Sequence, residues 1–373
     1  MLMSLIDLRL PSVALPHTRA AGKSAATPPS ANKPAAPRPR PNPAADQAAA
    51  GVPTPHLPGL SRALPVVLAL PLLTACETAV DVPEPEHTPR VALSLTIDNL
   101  PWDDSLSRMG LIGRRLTFVG VSQRLYDSRP LQGQGRDDAT LEVRDAAGTV
   151  VERYRAAPAP PGGYGYGQYR PTLRYQFRPG QEYQVRAAVP GFEAAESRLT
   201  LPVTVPVQAT VTPLSPNANG QDRLRVTVGF DDPGGSADYY VAAARIVDQD
   251  GQQAGFLNVE DDGIGNVAGY RLSDPASSYN LYPFTDTNLN GQRISFTQTL
   301  SYSRSGLPTG GALLLEVRLM HLTRDLYLFY NSQRQYQNNN GNPFAEPTPL
   351  YSNVSPGFGI FGGVADALVR TPL

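Results

Sequence analysis

Arg178-Pro-Gly-Gln-Glu-Tyr183-Gln-Val185-Arg-Ala187 decides the fold. Pro179-Gly180 makes a corner, and Tyr183 stands three residues beyond the glycine. Val185 and Ala187 then alternate with polar residues, the period of a strand with one buried face. A tyrosine so placed can return its hydroxyl to the backbone of the corner, a device of β-sandwiches that keeps the ring inside. Tyr183 is therefore expected to be buried and structural. The same alternation runs upstream. Val91, Leu93, Leu95 and Ile97 form one apolar stripe, and Leu116–Val121 repeats it. Leu141–Tyr154 reads as a hairpin turning between Asp145 and Gly148. Pro190-Gly-Phe192 turns the chain into Ser197–Pro202, the last strand of a domain over residues 91–204.

A second β-rich domain is expected over residues 205–373. Leu224-Arg-Val226-Thr-Val228-Gly-Phe230 alternates strictly, and Asp231-Asp-Pro-Gly-Gly ends it. Tyr239–Val247 follows, closed by the hairpin signal Asp248-Gln-Asp-Gly251. Gly311–Met320 is apolar enough for a central strand. Thr323 stands where it can cap a helix over 323–337, with Leu326, Tyr327, Phe329 and Tyr330 on or near one face. The fold class is mainly β: two immunoglobulin/fibronectin-like β-sandwich domains, the second with one helix near its C-terminal end.

Three tyrosines, Tyr164, Tyr166 and Tyr169, lie along the Gly/Pro-rich loop Pro158–Tyr169. Such loops expose their aromatic rings to partners or fold them onto their own domain. Two acidic stretches invite chemistry. Asp286-Thr-Asn288-Leu-Asn290-Gly291 matches the first half of a calcium loop. Its twelfth position is Thr297 where a bidentate Glu is needed, and a strand rather than a helix follows. No metal or other cofactor is therefore assigned. Asp231, Asp232, Asp261 and Asp262 are the carboxylates an enzyme would have to use.

The membrane address lies upstream. Leu64-Pro-Val-Val-Leu-Ala-Leu-Pro-Leu-Leu-Thr-Ala-Cys76 follows Arg62 and runs straight into Glu77. That is the layout of a secretory signal over residues 61–75. A Leu, two small residues and Cys add the pattern of bacterial lipoprotein processing, which places lipid on the sulfur and cuts before it. Ala63–Ala75 is too short to span a bilayer, which takes about 20 residues. Cys76 is the only cysteine of the chain, so no internal disulfide competes for it. Each buried acyl CH₂ contributes about 0.8 kcal/mol, so two or three chains hold firmly. Residues 1–60 are rich in Ala and Pro without apolar period and are expected to form no core. They read as a start codon placed too early or as an extended leader. Residues 76–90 carry Glu77, Asp81, Glu84 and Glu86 among Pro83, Pro85 and Pro89, a semi-rigid acidic tether. Acid just after the lipidated cysteine also resembles a surface-export signal.

Composition removes several function classes. The 32 basic and 33 acidic residues give a net charge of −1, and residues beyond the signal are more acidic still. That charge opposes nucleic-acid binding. Both lysines, Lys23 and Lys33, precede Cys76, which excludes Schiff-base and phosphate-loop chemistry in the body. Only His87 and His321 follow Cys76, so a catalytic triad would have to use His321, and a multi-histidine metal site has too few ligands. No catalytic residue is assigned, and the chain is read as a non-enzyme.

Gly341-Asn-Pro-Phe344-Ala-Glu-Pro-Thr-Pro-Leu-Tyr351-Ser-Asn-Val354-Ser-Pro-Gly-Phe-Gly359-Ile-Phe-Gly-Gly363 closes the chain with little ordinary periodicity. Together with Cys76 before Val80-Asp81, Pro179-Gly180 through Phe192, Asp232-Pro before Tyr239-Tyr240, and Asn290-Gly-Gln292, it resembles the lipoprotein family known as domain of unknown function 4249. The resemblance spans most of residues 76–365, and the long leader departs from it. It implies an outer-membrane lipoprotein, commonly encoded beside TonB-dependent receptors, with no established activity and no catalytic residues to carry over. The C-terminal run is read as specifying the fold first and as partner-binding second. Phe344 and Tyr351 join Tyr164, Tyr166 and Tyr169 as expected contacts. The functional expectation is a non-catalytic accessory or binding lipoprotein of a TonB-dependent uptake system, outer-membrane and surface-facing. A purely structural envelope lipoprotein is the alternative.

Overall fold

The computed structural model describes residues 86–102, 117–123, 135–157, 167–260, 270–273, 281–303, 312–339 and 349–373. The leader, the signal, Cys76, Tyr164, Tyr166, Asp261, Asp262 and Phe344 lie outside the described residues, as does most of the tether.

The first half supplies β1 (Val91–Asp98), β2 (Thr117–Val121), β3 (Thr140–Asp145), β4 (Val150–Ala156), β5 (Gln168–Pro171), β6 (Glu182–Ala188) and β7 (Ala195–Thr200). The second half begins with β8 (Val207–Leu214), β9 (Asp222–Asp231), β10 (Tyr239–Val247), β11 (Gln253–Gly255), β12 (Asn258–Val259), β13 (Leu272–Ser273) and β14 (Phe284–Thr285). It ends with β15 (Arg293–Tyr302), β16 (Leu314–Leu322), the helix α1 (Arg324–Asn339) and β17 (Phe358–Pro372). One sheet runs β11-β10-β16-β17-β1-β2-β5-β4-β3-β6-β7, with β13 and β14 also on β10, and a second runs β12-β15-β9-β8.

Two apolar cores divide near the boundary expected at residue 204. One holds Val91, Leu93, Leu95, Val119, Leu141, Tyr183, Val185 and Leu201. The other holds Val226, Val228, Phe230, Tyr240, Ile294, Val317 and Leu319, between β10–β16 and the second sheet. The large sheet nevertheless crosses that boundary, and residues 84–373 cluster as one compact unit. The strand responsible is β17. Phe358–Val364 pairs in parallel with β1, and Val364–Pro372 pairs antiparallel with β16. Its first half thus completes the first core and its second half the second.

β10 and β16 are covered on both faces, which is why both read as nearly continuous apolar runs. Val241, Ala243, Met320 and Leu322 meet Leu326 and Phe329 of α1 on the face away from the second sheet. The helix starts one residue after Thr323, whose carbonyl accepts the Tyr327 N–H at 3.1 Å. The Thr323 hydroxyl is not spent on the helix: it accepts the Gly363 N–H at 3.2 Å, fixing α1 to β17.

The corner that opened the sequence is present. Tyr183 is 1% exposed, and its hydroxyl accepts the Arg178 N–H at 2.8 Å. Burial pushes the phenol up to about 12, so it stays neutral and can fill that role. Phe177 lies edge-on to the ring at 5.1 Å, which locks it further. Tyr183→Phe keeps the packing and strips the Arg178 N–H of its partner. The expected cost is about 1–2 kcal/mol, read as a lower urea midpoint with an unchanged slope.

Candidate functional site

Four expected contact or carboxylate residues fall within the described chain. Tyr169 is buried at 3% exposure. Its hydroxyl donates to the Arg136 carbonyl at 2.7 Å and accepts the Ala139 N–H at 2.9 Å, so the ring is folded onto its own domain. Tyr351 is half-buried and donates to Asp325 Oδ1 at 2.6 Å. Burial and then that bond push its phenol up to about 12. Asp231 is exposed and pairs with Arg293 at 3.1 Å. Asp232 is different. It turns inward, and the chain brings two more carboxylates to it.

Two loops at one end of the second core build the cluster. The first joins β9 to β10 through Asp232-Pro-Gly-Gly-Ser-Ala-Asp238, and the second joins β14 to β15 through Asp286-Thr-Asn-Leu-Asn-Gly-Gln292. They interlock through backbone and amide bonds. The Asp232 N–H donates to the Gln292 carbonyl at 3.0 Å, and Asp286 N–H to the Asp238 carbonyl at 3.3 Å. Asn290 accepts the Gly235 N–H at 3.0 Å and donates to the Ser236 carbonyl. Asn288 and Gly291, at φ of 70° and 72°, supply the left-handed turns that Asn and Gly tolerate.

This interlock carries Asp232, Asp238 and Asp286 inward, at 6%, 8% and 3% exposure. One carboxylate oxygen from each lies within 4.8 Å of those of the other two. Asp232 is held at both oxygens, by the Tyr240 hydroxyl at 2.5 Å and the Gly291 N–H at 2.8 Å. Asp238 faces His321 Nε2 at 3.0 Å. The other imidazole nitrogen lies 2.9 Å from the Val203 carbonyl, which can only accept, so Nδ1 carries a proton. The Nε2–Asp238 contact then needs a second proton, on one partner or the other. Asp286 Oδ2 is buried with no hydrogen-bond partner.

The surroundings are apolar and aromatic. Tyr240 stacks on His321 at 4.8 Å and packs on Phe230 at 4.9 Å. Tyr270 meets Phe284 at 4.9 Å. Burial, then the bond to Asp232, raises the Tyr240 phenol far above its ordinary value, so it acts only as a donor. Burial raises the Asp238 carboxyl, opposed by His321 and reinforced by Asp232 and Asp286. Chemically, the cluster is a dry patch of hard oxygen donors with one imidazole at its edge.

Sequence reasoning had Asp232 and Asp286 in hand as members of two unrelated stretches and passed over Asp238. The missing link was the pairing of β9 with β15 and of β14 with β10, which sets the two loops side by side. The one signal in the sequence was two Gly/Asn/Asp-rich turns, each next to a strand.

A second buried charge cluster lies on β10, β16 and β17. Glu316, 1% exposed, accepts from Arg245 Nε at 2.7 Å, Arg318 Nη2 at 3.1 Å and Arg370 Nε at 3.0 Å. Arg245 and Arg370 stand directly across from Glu316 on its two neighbouring strands. Here one carboxylate meets three guanidinium groups, whereas Asp238 meets one imidazole and Asp286 Oδ2 has no hydrogen-bond partner.

No curated protein matches the chain. Among solved structures, it is similar to Salmonella alpha-2-macroglobulin, at 12% identity and a TM-score of 0.20, over 82% of this chain and 16% of that one. It is also similar to the full-length major pilin SpaD of Corynebacterium diphtheriae, at 13% identity and a TM-score of 0.21, over 63% of this chain and 62% of the pilin. The major pilin subunit BcpA of Bacillus cereus matches at 12% identity and a TM-score of 0.17, over 63% of this chain and 64% of that one. The chain thus spans less than two thirds of the length of each. At the level of family, the description "Domain of unknown function (DUF4249)" matches residues 119–368. Those residues take in the second core, much of the first, both interlocked loops and most of β17, and the chain belongs to the DUF4249 family.

Proposed function

We propose that this chain is an outer-membrane lipoprotein, held by lipid on Cys76, whose β-rich body serves as a non-catalytic accessory or binding subunit beside a TonB-dependent receptor in nutrient uptake. The observation that carries the reading is the single cysteine, set after Leu73-Thr-Ala and fifteen residues before β1 begins at Val91. A lipid there leaves a short acidic tether and then a folded body. Membership of the DUF4249 family supports it. The non-catalytic part rests on the absence of lysine after Cys76 and on the engagement of His321 with Val203 and Asp238. The cell-surface face is favoured because Glu77, Asp81, Glu84 and Glu86, just after the anchor, resemble a surface-export signal. Among the described residues no helix is long and apolar enough to cross a membrane.

The purely structural reading has one observation in its favour. Tyr169 and Tyr351, two of the five expected contact residues, are hydrogen-bonded within the body itself.

Mass spectrometry of the envelope fraction tests the anchor. The expected product begins at Cys76 and carries a diacylglyceryl thioether, and Cys76→Ser releases the body from membranes. An unmodified Cys76 with residues 61–75 still attached defeats the proposal. Detergent extraction followed by affinity capture then separates accessory from structural roles. A receptor barrel that co-purifies supports the first, and a body recovered alone supports the second.

A further inference from the structure

We propose that Asp232, Asp238 and Asp286 form a binding site for one divalent calcium ion, which clips the large sheet to the small one at the end of the second core. The proposal is independent of the lipid anchor. Three buried carboxylates meet within 4.8 Å, a separation that a single ion can bridge because Ca²⁺–O bonds run about 2.3–2.6 Å. Clustering of acids alone would not suffice. The decisive observation is Asp286 Oδ2, buried with no hydrogen-bond partner. A buried anionic oxygen left bare is costly. A cation satisfies it. The other two carboxylates are already oriented: Tyr240 and Gly291 hold Asp232, and Ser236 lies 3.4 Å from Asp238.

The donors choose the ion. Carboxylates in an apolar setting are hard ligands, which suit Ca²⁺ and Mg²⁺ over softer metals. Mg²⁺ keeps several waters and is usually held by one or two carboxylates, whereas Ca²⁺ accepts more protein oxygens in irregular geometry. Zinc would call on imidazole, but His321 Nε2 already faces Asp238 at 3.0 Å. Position gives the ion its task. Asp232 and Asp238 flank the β9–β10 connection, and Asp286 opens the β14–β15 connection. β9 and β15 belong to the small sheet and β10 and β14 to the large one.

Calorimetric titration and thermal unfolding of the full chain, stripped with EDTA, test this. One Ca²⁺ per chain is expected, with a midpoint rise of about 5 °C at an ion concentration roughly 100 times the dissociation constant. Mg²⁺ at equal concentration should give a clearly smaller shift. Asp286→Asn removes one charge from the cluster while keeping its shape. It should melt in EDTA no lower than the parent and lose the calcium shift. Asp231→Asn, at the exposed neighbour, should keep the full shift. Equal midpoints with and without Ca²⁺, a response to Zn²⁺ in place of Ca²⁺, or a calcium shift that survives Asp286→Asn each overturns the proposal.

Discussion

Gly359→Ala is expected to lower the unfolding free energy by about 3 kcal/mol or more, the sum of a backbone and a packing penalty. Gly359 adopts φ of 118°, a region closed to side chains. A Cβ built there would also overlap the Leu93 carbonyl oxygen of β1. Leu93 is the register partner of Gly359 in the parallel β1–β17 ladder, so the strain falls on the pairing that joins the two halves of the chain. Gly148 provides the control. It too has positive φ, 81°, in the β3–β4 turn, but a Cβ there meets nothing within 4 Å. Gly148→Ala should cost only the backbone term, about 1–2 kcal/mol. Urea unfolding of both variants, followed by two probes, reads the difference. Equal losses for the two would mean that the Leu93 contact gives way freely and that β17 does not need its close approach to β1.

How much of this was readable in advance depended on the range of the interaction. Local signals served well. The Pro179-Gly180 corner, the Asp145–Gly148 turn and the helix after Thr323 each rest on residues within a few positions of one another, and each is found where the pattern put it. Strand alternation was legible where one face is exposed, as in β6. The division into two domains rested on local signals, whereas the large sheet runs across residue 204. The Gly-rich end suited a strand packed closely against a neighbour, but the neighbour of Gly359 is β1, more than 250 residues earlier, and no period in the tail itself records that. The aspartate cluster was hidden for the same reason. Asp232 and Asp286 stand in separate turns whose meeting is fixed only by the order β15-β9 in one sheet and β14-β10 in the other. Tyr169 took the second course that its loop left open, folding onto its own domain. Loop composition could not choose between the two courses, whereas its place as the second residue of β5 turns it toward the core.

Glu316→Gln should be as damaging as any single exchange in the second core, at about 3–5 kcal/mol. The amide keeps the size of the side chain and removes the one negative charge shared by Arg245, Arg318 and Arg370. Arg245 and Arg318 are each 4% exposed, so water cannot compensate them, and Asp366 stands 3.9 Å from Arg318. Burial pushes the Glu316 carboxyl up, but the hydrogen bond from Arg245 and the charges of Arg318 and Arg245 outweigh it, so the group lies below the usual carboxylate range. A carboxyl depressed by folding stabilises above its unfolded value, 4.5 here, and that contribution drains as pH falls through the lower folded value. The parent chain should therefore lose stability across the interval just below pH 4.5, and Glu316→Gln, already destabilised, should lose less over that same interval. Arg245 Nη1 has no hydrogen-bond partner even in the intact cluster, so the network is imperfect as built. The double exchange Arg245→Met with Glu316→Leu should accordingly recover part of the loss that Glu316→Leu causes alone, because it removes the charge that the single exchange strands. If the two exchanges instead add their costs, Arg245 does not depend on Glu316 for compensation, and the buried row owes its stability to packing.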